Sequence, residues 1–82
     1  MSEEAWLVQI YQMTDEITQS SAARLLSGFR KFSIDTRTCE RGSFLIVESE
    51  ATSAVSVHET VMMVDPNAEL IHSAAGQSTQ PA

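Results

Sequence analysis

Residues 31–49 read KFSIDTRTCERGSFLIVES, and the fold turns on how this stretch doubles back. Two runs of alternating side chains meet at Glu40-Arg41-Gly42, the pattern of a β-hairpin. The loop length decides which side chains face the core, because slipping one residue moves a whole strand face to the other side. A two-residue loop at Arg41-Gly42 would force Arg41 to a positive φ, for which arginine is poorly suited. A three-residue loop, Glu40-Arg41-Gly42, needs the left-handed conformation only at its last position, where glycine stands. That choice predicts Cys39 opposite Ser43 and a core face of Phe32, Ile34, Thr36, Phe44 and Ile46. Asp35, Arg37, Cys39, Leu45 and Val47 then fall on the other face. The opposite register would exchange Phe44 and Ile46 with Leu45 and Val47.

Upstream, EAWLVQIYQM also alternates, with Trp6, Val8 and Ile10 on one side and Leu7, Gln9, Tyr11 and Met13 on the other. The spacing predicts a strand. MTDEI follows, where Thr14 or Asp15 can cap a helix and the acids suit its N-terminus. Ile17, Ser21, Ala22, Leu25, Leu26 and Phe29 recur at helical spacing. Gly28 is a helix stop, and Arg30 and Lys31 follow at the end where the helix dipole favours cations.

Downstream of the hairpin, Thr52 or Ser53 can cap a second helix with a stripe of Ala54, Val57, His58, Val61 and Val64, and with Val55 and Met62 alongside. Its valines favour strands, but a dozen residues between turn signals suit a helix better. Asp65-Pro66-Asn67 ends it, because the residue before proline is driven out of the α region. AELIHSA reads as a final short strand. Residues 1–74 therefore make one domain, with 75–82 as a polar, frayed tail.

The resulting order, β-α-β-β-α-β, predicts an α+β domain of the ferredoxin-like kind: a four-stranded antiparallel sheet with two helices on one face. In element order it resembles small ACT-like regulatory domains, and no family motif accompanies the resemblance. The second sheet face stays open. In the chosen register Leu45 and Val47, with Tyr11, Leu7 or Ile71, put an apolar patch there, as at an interface.

Size and composition point the same way. At 82 residues the chain buries a small core and gains from oligomerisation, which predicts a homodimer. Its hydrophobic fraction of 43% is too high for a disordered chain. The net charge of −6 argues against general nucleic-acid binding, although all five basic residues lie between Arg24 and Arg41 with only Asp35 and Glu40 among them. Such a local basic face can hold a small anion, but scattered, solvated arginines are the ordinary state of these side chains. One cysteine excludes an internal disulfide and suits a reducing compartment. The start, MSEEAWLV, has acids where a secretory signal carries positive charge, and its apolar run is too short to span a membrane. A cytoplasmic location is expected, with no membrane and no nucleic-acid partner.

VHETVMMV (residues 57–64) contains the first two letters of the zinc-hydrolase helix, which needs a second histidine four residues after the first. Position 62 is methionine, and the other histidine, His72, lies outside the helix. Packing therefore outweighs metal at His58, and no metal or other cofactor is expected. A catalytic thiol at Cys39 needs a lowered pKa. Arg37 and Arg41 are near in sequence, yet no histidine is placed as a base. Three glycines spread along the chain make no phosphate loop, and Tyr11 and Phe44 lack the flanking pattern of an RNA-binding sheet. Met62 and Met63 point about 100° apart on a helix and read as gap-filling side chains.

The expectation is a non-catalytic binding, regulatory or interaction module, homodimeric through its sheet, with Leu45, Val47 and Tyr11 at the interface. Arg37, Cys39 and His58 are the candidate contacts to a small-molecule ligand. One alternative is a small dimeric enzyme with a pocket between sheet and helices, using Cys39 or a histidine. Another is an accessory subunit whose partner is a larger protein complex.

Overall fold

Strand β1 (Trp6–Met13) runs into helix α1 (Glu16–Leu26), which returns the chain to the hairpin of β2 (Ser33–Cys39) and β3 (Gly42–Glu50). A short 3-10 turn (Ala51–Ser53) leads to α2 (Ala54–Val64), and β4 (Glu69–Ala75) closes the order. This computed structural model describes residues 6–29 and 31–75. Arg30, the acidic start and residues 76–82 of the expected tail lie outside the described residues. The protein is an α+β domain whose antiparallel sheet has the strand order β2-β3-β1-β4.

Local chemistry explains the helix ends. Asp15 caps α1: its side chain accepts from the Thr18 backbone at 2.9 Å, and Thr18 Oγ1 accepts from the Asp15 N–H at 3.3 Å. This reciprocal box satisfies donors that a helix N-terminus leaves free. The N-cap of α2 is Ser53, which makes no side-chain cap bond. Its C-terminal cap is Asp65, directly before Pro66, as the proline predicts.

The hairpin differs from the expected one. Cys39 pairs with Gly42 and Thr38 with Ser43, so the loop is the two residues Glu40 and Arg41. Gly42 does adopt a positive φ, 139°, but does so as the first residue of β3 rather than as the last residue of the loop. One residue fewer in the loop turns every β3 side chain over. Leu45 and Val47 share a face with Ile34 and Thr36 and are fully buried, whereas Phe44 and Ile46 lie on the other face and are half-buried.

The same holds for β1. Tyr11 and Met13 point into the core, and Trp6, Val8 and Ile10 point away from it. Tyr11, Met13, Leu45 and Val47 meet Ala22 and Leu26 of α1, Val57 and Val61 of α2, and Ala68. Both helices thus cover one face, with α1 on β1, β2 and β3, and α2 on α1 and β3.

Helix α1 is also turned from its expected phase. Ile17, Leu25 and Phe29 are exposed, and Gln19, Ala22 and Leu26 are buried. The cause is Gln19, whose Nε2 donates to the carbonyls of Phe44 (2.9 Å) and Arg37 (3.1 Å). These bonds tie the helix to the β2–β3 hairpin and are unavailable to an isoleucine.

Candidate functional site

Two places in the fold have the makings of a site: the uncovered sheet face, and a polar cluster buried beneath α2. The uncovered face carries Trp6, Val8 and Ile10 from β1 and Phe44 and Ile46 from β3. Ile10 pairs directly with Ile46, and all five are half-buried although no helix among the described residues covers them. They form an oblique apolar strip across the two central strands. Arg37 flanks it at the hairpin end, opposite Phe44, while Glu48 and Glu50 flank it at the other end, opposite Val8 and Trp6. Asp35, Cys39, Glu69 and His72 occupy the same face on the edge strands, as their pairing with Ile46, Gly42, Gln12 and Ile10 requires.

Beneath α2 lies the polar cluster. Alternation along β1 puts Gln9 and Tyr11 on the helix-facing side, and the second turn of α2 brings His58 over them. Gln9 Nε2 donates to the Tyr11 hydroxyl at 3.0 Å, and that hydroxyl lies 3.1 Å from His58 Nδ1. The two rings stand 5.8 Å apart at 37°. Burial pushes the Tyr11 phenol up to about 12, so it is a neutral donor at ordinary pH. Gln9 is only 3% exposed, and its Oε1 is the one buried side-chain polar atom among the described residues with no partner.

A second polar group is fully satisfied. Asp65, 3% exposed, accepts from the Thr14 N–H (2.7 Å), Thr14 Oγ1 (2.8 Å), Asn67 N–H (3.1 Å) and Thr18 Oγ1 (3.2 Å). Burial acts to raise its pKa, but these donors outweigh that and hold the carboxyl below its usual value. The arrangement clamps the end of β1 and the start of α1 to the turn before β4. Both carboxylate oxygens are held by these donors, which fits a fastener.

The expected site residues do not converge. Arg37 and Cys39 share the uncovered face and are exposed, while His58 lies on the opposite side of the sheet with Tyr11. His72 is on the uncovered face as well, so the two histidines are separated by the sheet. Among the described residues no three histidine, cysteine or acidic side chains are grouped to hold a metal ion. Nor is any helix among them long and apolar enough to cross a membrane. The proposed interface residues Tyr11, Leu45 and Val47 are each 0% exposed, so they cannot meet a partner on the surface. The apolar side chains on the other sheet face are Trp6, Val8, Ile10, Phe44 and Ile46. Gln9 drew no attention in sequence; its signal was a long amide alternating with Leu7, Tyr11 and Met13.

Comparison of the chain with protein-family models, with curated proteins and with solved structures gave no match.

Proposed function

We propose that the chain is a non-catalytic, ferredoxin-like binding or regulatory module that pairs with a second copy of itself through the uncovered face of its sheet. The order β2-β3-β1-β4, counted from the opposite edge as β4-β1-β3-β2, supports that fold: two β-α-β units interleave around a central β1–β3 pair. The observation that carries the function is the apolar strip of Trp6, Val8, Ile10, Phe44 and Ile46, laid over both central strands. The lone, exposed thiol of Cys39 supports a reducing, cytoplasmic setting.

Charge favours one orientation. Arg37 and Glu50 stand at opposite ends of the face, about 20 Å apart at roughly 3.4 Å per residue. A two-fold axis in the plane of contact and across the strands exchanges those ends. It sets Arg37 of each copy over the end of the other copy where Glu48 and Glu50 lie. The sheet is small, with four strands making a face on the order of 19 by 24 Å. Most of it must be covered to approach the roughly 600–1,000 Å² per partner of specific interfaces.

Sedimentation velocity at high micromolar concentration tests the proposal. A dimer that dissociates on Ile46→Glu, with the fold retained, is the expected result. A strict monomer would refute the pairing and direct attention to a different protein partner for the same face.

A further inference from the structure

We propose that the helix side of the sheet carries a separate ligand site: a groove between α2 and β4 for a small neutral molecule, whose hydrogen-bond donor reaches Gln9 Oε1 and whose apolar body lies along the groove. Gln9 supplies the starting point. Its amide nitrogen is committed to Tyr11, and its oxygen, buried in the interior, has no donor. A buried acceptor left unmet costs about 1–3 kcal/mol, a cost natural cores ordinarily avoid.

The surroundings show where a donor would enter. Leu70 pairs with Tyr11 and Ser73 with Gln9, so both lie on the helix-facing side of β4. Leu70 is nevertheless 40% exposed and Ser73 is exposed, since α2 packs chiefly on α1 and β3. On α2, Val55, His58 and Met62 stand at i, i+3 and i+7 on the flank where His58 meets Tyr11. Val55 is 68% exposed. The groove thus has Leu70 and Ser73 as its floor, Val55 and Met62 as its wall, and Gln9, Tyr11 and His58 at its back. Oε1 is itself buried, so a donor reaches it as the first turn of α2 gives way, and that turn lacks a side-chain cap to hold it.

The chemistry selects the ligand. Neither a lysine or arginine nor an aspartate or glutamate is among these residues, so a charged head group would be desolvated without a counter-charge. The free group is an acceptor, so the ligand must donate. The flanking side chains are aliphatic or thioether, which suits a flat or branched apolar body. Two other hollows on the helix side lack the deciding feature. One lies between α1 and β2, beside Ser20, Arg24 and Asp35; the other lies between Phe29, Lys31 and Ser56. Neither is lined by a buried polar atom in need of a partner.

Titration of the ¹⁵N-labelled full chain with benzamide and with benzoate, followed by amide chemical shifts, tests the site. Benzamide joins an apolar ring to a neutral donor, and benzoate keeps the ring but carries charge and lacks the donor. The expected result is saturable benzamide shifts centred on the Gln9 side-chain amide, Tyr11, His58 and Ser73, with benzoate at least about tenfold weaker, on the order of 1.4 kcal/mol. Gln9→Leu should weaken benzamide by at least about tenfold, and Ser73→Trp, a change at an exposed floor position, should block it while the spectrum stays dispersed. Ile46→Glu, on the opposite sheet face, should leave benzamide affinity unchanged, so this site stands or falls apart from the dimer. Absence of saturable shifts at on the order of 10 mM benzamide would overturn the proposal. So would equal binding of the two probes, or undiminished binding by both blocking variants.

Discussion

Replacing Val47 by glutamate should unfold the protein, and the same replacement at Ile46 should leave it folded but monomeric. Val47 is 0% exposed between the sheet and the helices. Its loss forfeits about 1.5–3 kcal/mol of burial. An uncompensated carboxylate in that position adds about 3–5 kcal/mol. Together these approach the whole stability of a chain this size, about 4–12 kcal/mol at 0.05–0.15 kcal/mol per residue. Ile46 is half-buried on the uncovered face, where a carboxylate keeps access to water and loses roughly 1 kcal/mol of burial in the monomer. In the dimer two copies change at once, and the new carboxylates sit beside Asp35, which pairs with position 46. A combined loss of about 3 kcal/mol raises Kd roughly a hundredfold. Urea titration by circular dichroism reads the first effect and sedimentation velocity the second. A folded Val47→Glu protein together with an unfolded Ile46→Glu protein would refute the register and restore the three-residue loop.

Further outcomes follow from single contacts. Gly42→Ala places a side chain on a φ of 139° and should lower stability by about 1–3 kcal/mol, read as a fall in the urea midpoint at constant slope. Its new methyl would also lie 2.7 Å from Gln12 Nε2, which is at the end of a side chain able to turn aside, so the backbone term dominates. Gln19→Leu removes both side-chain bonds to the carbonyls of Phe44 and Arg37 and should cost about 1–3 kcal/mol, despite raising the apolar content of the core. Asp65 has a folded-state pKa below its ordinary value, so its contribution is fully present above the ordinary carboxylate range and is lost as pH falls through and below it. Between about pH 5 and pH 3 the urea midpoint of the native protein should therefore fall more steeply than that of Asp65→Asn, and parallel curves would contradict the clamp.

Periodicity made the elements legible because each is long and regular, and Asp15 and Pro66 marked helix ends by local chemistry. What it missed were choices made between distant parts of the chain. Both faces of the β1–β3 pair are apolar, so hydropathy alone could not say whether Leu45 and Val47 or Phe44 and Ile46 lie inside. The glycine that prompted the three-residue loop does take a positive φ, and a one-residue error about where it takes it inverted the strand. In α1 the apolar stripe includes the buried Ala22 and Leu26 but is extended to the exposed Ile17, Leu25 and Phe29, because isoleucine and leucine outrank glutamine on any scale of apolarity. The deciding bonds are to backbone carbonyls of the β2–β3 hairpin, and sequence spacing carries no signal of them. His58 reads in sequence as a packing histidine or a ligand contact, and its hydrogen-bond partner, Tyr11, stands 47 positions away. Asp65 was legible as a helix end, and Thr14, which makes it a clamp, is 51 positions away.

The buried polar residues then separate by how completely they are satisfied. Gln19 and Asp65 use their interior positions fully, so removing either should cost stability. Gln9 does not. Its amide gives one bond to Tyr11 and leaves Oε1 unpaired, while the Tyr11 hydroxyl keeps His58 as a partner without it. Leucine at position 9 would remove the unmet acceptor and add apolar surface beside Val47, its cross-strand neighbour. Gln9→Leu should therefore be neutral or stabilising, by about 0–2 kcal/mol in urea melts of the unliganded protein. An unmet buried acceptor whose replacement costs the fold nothing is what a ligand at this position requires. Destabilisation of more than about 2 kcal/mol would show instead that the Gln9–Tyr11 bond holds the core together, and would remove the energetic case for a ligand at this position.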